Sequence, residues 1–365
     1  MLLFLYILCF FFIVVVCFLI KTKIRHQKKT LLPKQLDRSW FANTTTPLTP
    51  ADYQRSGDQT FLTYPEWFLV FSPAEQALYF KEKTSTTFPY EQHVEQFWDS
   101  YALLSEEIKT HFPYNNQYHT MIKVIGYSTM IEYRGKLLYE QSIGRLTALI
   151  PSKMTAEDQF YGEFMQRYVN FIQKEPWYLY PFLQEFKQLW MHTTWLEWNI
   201  IRKLERRIFI SVELLFKAFY GSGLGLGTKS TYGVAAPVTA VLIDQLPPNH
   251  EVTVPELKLV DVISNEATLV TLPRYAAFTA ALTKLIKTGV QIKEIAGNTS
   301  SILLTIVVPI DWQAVTTLTQ PIFKQIIPTQ PSKQRVALVV LIKDLSTLML
   351  QLEQAQIPIE HIFDY

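Results

Sequence analysis

The chain has 365 residues, with 34 Lys or Arg set against 32 Asp or Glu and a formal net charge of +2. So even a balance carries no global basic footprint, and nucleic acid is not an expected partner. Both cysteines, Cys9 and Cys17, fall before residue 21. This excludes a disulfide framework, a Cys-ligated zinc site and a cysteine nucleophile from everything that follows.

Met1 to Ile20 carry no charged side chain, and the next nine residues contain Lys21, Lys23, Arg25, Lys28 and Lys29. As a helix the apolar run would be about 30 Å long, matching the hydrocarbon core of a bilayer. A transmembrane anchor over 1–20 is therefore predicted, with the lipid bilayer as its partner. A cleaved signal peptide would instead place its cations first and small residues ahead of the cut. The positive-inside rule keeps the cationic flank cytoplasmic, giving a single-pass inner-membrane protein with a cytoplasmic C-terminal body. The same five cations would also rest on anionic headgroups at the membrane surface. Residues 21–60 read as a basic juxtamembrane linker, rich in Thr, Pro, Gln and Asp without periodicity.

Aromatic density then divides the body. Residues 61–220 hold 35 Phe, Trp or Tyr, whereas 221–365 hold seven. This predicts an aromatic-rich, mainly helical domain over 61–220 and a Gly/Pro-containing connector over 221–262. In the first domain Val94, Phe97, Trp98, Tyr101, Leu104, Ile108 and Phe112 recur at helical spacing, as do Phe160, Phe164, Tyr168 and Phe171. A third helix runs from Pro181 through Trp190. Met121 to Tyr139 alternates like strands, with Gly126 and Gly135 as breaks.

Ile201 to Tyr220 forms an amphipathic helix. Ile201, Leu204, Ile208, Val212, Leu215 and Phe219 share one face, while Arg202, Lys203, Arg206 and Arg207 crowd its first half. One reading lays this helix in the headgroup plane with Arg202, Arg206 and Arg207 on phosphates; the other packs it in the core. Glu213 and Lys217 at its centre exclude a second span.

Over 263–365 the rhythm changes. Ala267–Leu272 reads as a strand, Pro273 opens a helix that ends at Gly289, and 290–296 and 301–308 are strands joined at Gly297-Asn298. Trp312–Ile326 reads as a helix, 335–342 as a strand, Leu345 to Leu352 as a helix and 359–363 as a strand. The order suggests a ferredoxin-like α/β sandwich. The whole is an α+β chain: N-terminal transmembrane helix, aromatic-rich helical domain, C-terminal ferredoxin-like module.

Several short motifs, Tyr64-Pro65-Glu66-Trp67, Tyr139 to Arg145, Glu157 to Phe160, Glu205-Arg206-Arg207, Pro273-Arg274-Tyr275, Ile295 to Asn298 and His361 to Tyr365, resemble a family of uncharacterised bacterial membrane-anchored proteins. The resemblance implies a bacterial inner-membrane protein from about Phe61 onward. It implies no activity, cofactor or catalytic residue.

The seven histidines form no His-Glu-x-x-His or His-x-His pair, so no metal site and no cofactor is expected. His119 lies in a polar stretch beside Asn115 and Asn116. Glu140, Arg145 and Asp158, with Glu132, Glu157 and Tyr139 nearby, have the composition acid–base chemistry uses, because burial raises one carboxyl while an arginine lowers another. Salt bridges between helices would use the same residues. Gly223 to Gly227 followed by Thr228-Lys229-Ser230 lacks the Gly-Lys-Ser order of a phosphate loop. The function expected is a membrane-anchored scaffold or binding protein, with a protein partner or small ligand on the C-terminal domain. The alternative is a membrane-surface enzyme acting on a lipid or amphiphile through His119, Glu140, Arg145 and Asp158, which requires those four to converge.

Overall fold

The computed structural model describes residues 40–41, 46–149, 154–194, 198–231, 238–313 and 316–363. The predicted anchor and its flanking cations, Lys21 to Lys29, lie outside the described residues. Among the described residues no helix is long and apolar enough to cross a membrane. The fold is α+β, six long helices followed by two antiparallel four-stranded sheets.

The helices are α1 (Gln59–Tyr79), α2 (Tyr90–Ile108), α3 (Asn116–Tyr139), α4 (Ala156–Ile172), α5 (Phe182–His192) and α6 (Ile200–Thr231). α1 is apolar nearly all round and lies at the centre, with Phe61, Tyr64, Phe68 and Phe71 buried, as such a helix must. α3 replaces the strands expected over Met121–Tyr139. Its Gly126 is not a strand break but the point where the Phe97 ring of α2 presses on the backbone, in space a Cβ would occupy. Asn115 caps the helix, its side chain accepting from the Tyr118 N–H at 3.1 Å, which satisfies a donor that the first turn leaves open. α6 runs on through Gly221 to Gly227, so the stretch expected as connector holds a helix end and two strands.

The strands are β1 (Val238–Ile243), β2 (Lys258–Ser264), β3 (Ala267–Pro273), β4 (Ile292–Ile295), β5 (Ser301–Pro309), β6 (Thr319–Ile327), β7 (Gln330–Leu341) and β8 (Ile359–Ile362). Helix α7 (Ala276–Ile286) joins β3 to β4, and α8 (Ile342–Gln354) joins β7 to β8. The first sheet has the order β2-β3-β1-β4 and the second β6-β7-β5-β8. Each is a β-β-β-α-β unit with the same strand order, so the module is an internal pair of units rather than a ferredoxin-like sandwich. The run Trp312–Ile326, expected as a helix, instead supplies most of β6. In β6 Phe323, Gln325 and Ile327 are buried while Lys324 and Ile326 are exposed, which is the two-residue period of a strand. Pro321 is tolerated there because β6 is an edge.

One face of both sheets shares a core with α7 and α8, through Val241, Val270, Leu304, Leu338, Phe278 and Leu348. The other face of the second sheet, with Leu303, Phe323, Ala337 and Val339, joins the aromatic core around α1. Polar contacts fasten this junction: the Thr60 hydroxyl donates to the Phe363 carbonyl at 2.7 Å and Tyr64 donates to Gln325 at 2.9 Å.

Candidate functional site

α6 is turned opposite to the usual sense. At 100° per residue Ile201, Leu204, Ile208, Val212, Leu215 and Phe219 fall within one arc, and that arc faces outward: Ile208 is 60% and Phe219 83% exposed. The opposite arc carries Arg202, Lys203, Arg206, Arg207 and Glu213, all buried, with Lys203 and Arg206 at 0%, and further along it Ile210 and Leu214 enter the aromatic core. The surface extends past the helix. At its N-terminal end Leu149 is 73% and Trp198 88% exposed, and Asn199 donates to the Thr147 carbonyl at 3.4 Å, tying the two loops together. α3 separately exposes Val124, Tyr127 and Ile131.

Behind this surface lies a network of ion pairs. Arg206 Nη1 meets Glu140 at 2.6 Å and its Nε lies 3.1 Å from Asp158. Arg202 meets Glu205 at 2.9 Å and donates to the Gly144 carbonyl at 3.0 Å. Glu157 takes both Lys203, at 2.9 Å, and Arg207, at 2.7 Å. Lys136 bridges Glu132 at 2.9 Å and Glu213 at 2.8 Å, and Lys217 returns to Glu132 at 3.0 Å. Six cations thus face six carboxylates, and the network is neutral as a whole. Hydroxyls fill the remaining acceptor positions: Tyr139 donates to Glu205 at 2.6 Å, Tyr161 to Glu213 at 2.8 Å and Thr86 to Glu140 at 2.9 Å, with Ser85 also on Glu140.

Burial alone would raise the Glu140 carboxyl, but Arg206, Ser85 and Thr86 outweigh it and hold Glu140 below the ordinary range. Glu132, half-buried, is brought down to about 2 by Lys136 and Lys217. Carboxylates held in this way stay ionised and paired, so they orient helices rather than exchange protons.

The four residues expected to form an acid–base site do not converge. Glu140 and Asp158 do meet, on Arg206. Arg145 is exposed, just past the π-helical turn Glu140–Gly144, and makes no ion pair among the described residues. His119 sits in the first turn of α3 while Glu140 follows its last, about 30 Å away along the axis. His119 Nδ1 is 2.9 Å from the Tyr101 hydroxyl, its ring is stacked on Tyr114 at 4.4 Å, and burial holds its pKa below the usual value. Arg202, Arg206 and Arg207, expected on membrane phosphates, are instead buried among carboxylates. Lys21, Lys23, Arg25, Lys28 and Lys29 lie outside the described residues.

The network explains three of the short motifs, since Tyr139 to Arg145, Glu157-Asp158 and Glu205-Arg206-Arg207 all end in it. Three others meet at the junction of the two halves. Trp67 lies flat on His361 at 3.9 Å and, more distantly, over Tyr275 at 6.0 Å, and the Arg274 guanidinium covers the Tyr275 ring at 5.1 Å. Lys203 and Glu205 were missed as partners. The sequence did hold a signal for them: a helix with one wholly apolar face and one charged face can be set in a protein either way round, and the carboxylates at Glu140, Glu157 and Asp158 count out the partners needed to bury the charged one. Among the described residues no group of His, Asp and Glu is placed to hold a metal ion. No protein-family model, curated protein or solved structure matches the chain.

Proposed function

We propose that this is a membrane-anchored scaffold whose helical half is seated against the bilayer by the outward surface of α6, leaving the paired β units free to hold a partner. The observation that carries the reading is the inverted α6, apolar toward the outside and charged toward the inside. Apolar surfaces of this extent on a folded body mark an interaction or membrane site. The bilayer is favoured as the neighbour because the same chain carries twenty uncharged residues followed by five cations at its N-terminus, which would bring the body to a membrane, the inner membrane of a bacterium on the resemblance above. Trp198, exposed just ahead of α6, has the amphipathic ring that suits headgroup depth.

Because the cations of α6 are already neutralised, this seat is apolar and needs no anionic lipid. The partner-holding part of the reading rests on β2, an edge strand with all seven residues exposed, Leu259 and Val262 among them. An edge of this kind accepts an extended segment of another protein.

The test uses the full chain in vesicles, with Cys9 and Cys17 replaced by Ser and an environment-sensitive fluorophore attached through Leu149→Cys, on the same surface but beyond the α6 stripe. Blue-shifted emission, quenched by brominated acyl chains and equally so in zwitterionic and anionic vesicles, is expected. Water-like emission without quenching would remove the membrane seat.

A further inference from the structure

The apolar stripe on α6 has a candidate neighbour within the chain. From Ile201 to Phe219 it runs about 27 Å, and twenty residues of helix run about 30 Å. Met1 to Ile20 is such a run, without one charge.

The described chain begins beyond the C-terminal end of the stripe. Phe41 is buried and stacked on His111 at 3.9 Å, next to Phe112, just ahead of α3. α3 and α6 run antiparallel, since Tyr139 bonds Glu205 while Glu132 pairs with Lys217. The start of α3, and Phe41 with it, is therefore at the C-terminal end of α6. Residues 21–39 reach at most about 65 Å when extended, ample to bring Ile20 to Phe219.

We propose that Met1–Ile20 packs as a helix lengthwise on α6 and parallel to it, with Ile20 level with Phe219 and Met1 level with Ile201. This rests on the membrane-seated reading and specifies what lies between α6 and the acyl chains: the chain's own anchor. A tether of this kind holds the two surfaces at millimolar effective concentration, which neither a second copy nor a separate protein enjoys.

Cys9 and Cys17 are the only thiols of the chain, and the parallel alignment places them level with Ile208 and Phe216. Full-length Ile208→Cys and Phe216→Cys variants, oxidised with iodine in native membranes, are expected to form an intrachain disulfide, seen as a mobility shift on a non-reducing gel. The shift of Ile208→Cys is lost when Cys9 is replaced by Ser and kept when Cys17 is; that of Phe216→Cys shows the reverse. Val252→Cys, exposed on the β half, gives no shift. No intrachain product at either position, a product only of dimer size, or equal yields with Val252→Cys would overturn the proposal. Lipid quenching at position 149 without any cross-link removes the anchor from this face but leaves the membrane seat standing. Absence of both removes both.

Discussion

Arg206 Nη1 lies 2.6 Å from Glu140 Oε1, and neither side chain reaches solvent. The pair joins α6 to the turn that follows α3, and Asp158 adds the start of α4 to the same guanidinium. Desolvation takes back most of what such a pair gains, so its removal as a unit is cheap while the loss of one partner strands a charge. Arg206→Met and Glu140→Gln are each expected to destabilise the fold by about 3–5 kcal/mol. The double variant should cost clearly less than the two added together, the sign of coupled neighbours. Denaturant unfolding of the four proteins gives the cycle. Strict additivity would mean that Glu140 and Arg206 act independently.

His361 stands on the C-terminal strand with its ring against Trp67, and burial lowers its pKa from the ordinary value to about 3. The unfolded chain, at about 6.5, therefore takes up this proton first as the pH falls. The stability contributed by neutral His361 is whole above pH 6.5 and declines progressively toward pH 3. His93, lowered to about 3 by burial and by Arg335, acts in the same direction. One such histidine costs about 1 kcal/mol between pH 7 and pH 5.5. His361→Phe keeps a ring on Trp67 and removes the titration, so its unfolding midpoint should fall less than that of the unmodified chain over this interval. Parallel pH profiles would show that His361 is already charged or solvated in the folded protein.

The legible parts of this fold were those in which one face of an element is apolar and the other polar, with the apolar face inward. α2, α4, α7 and α8 follow that rule and their periodicity places them, whereas β5 and β7, buried on both faces, read as continuous apolar runs. β6 and α6 break it for separate reasons. Pro321 and a run of large side chains disguise β6, whose register is set by pairing with β7 rather than by its own pattern. α6 reads correctly as a helix, but its sequence does not say which face is inside; that depends on the carboxylates of Glu140, Glu157 and Asp158, brought in from other helices. The candidate site was half visible for the same reason. Glu140 and Asp158 belong together, but the guanidinium that unites them is Arg206, some fifty residues beyond Asp158, and not the nearer Arg145. Local spacing favours sequence neighbours, whereas a bundle pairs helices that return antiparallel.

Gly126 shows the same limit at a single residue. As a strand break it would tolerate any side chain; as the seat of an aromatic ring it tolerates none. A Cβ there would meet Phe97 and, at 2.9 Å, the far edge of the Trp98 indole. Both rings are fixed by their neighbours, Phe97 edge-on to Phe68 at 5.5 Å and Trp98 against Tyr127 at 5.0 Å. Neither can swing aside without opening the α2–α3 contact. Gly126→Ala raises helix propensity and would stabilise an isolated helix by about 1 kcal/mol, yet in the folded chain overpacking should prevail and cost about 1–3 kcal/mol. Adding Phe97→Leu to Gly126→Ala should return part of the loss, because the smaller side chain vacates the contested space. Thermal unfolding of the single and double variants decides the point. A stabilised Gly126→Ala would mean that the two helices do not approach at this residue.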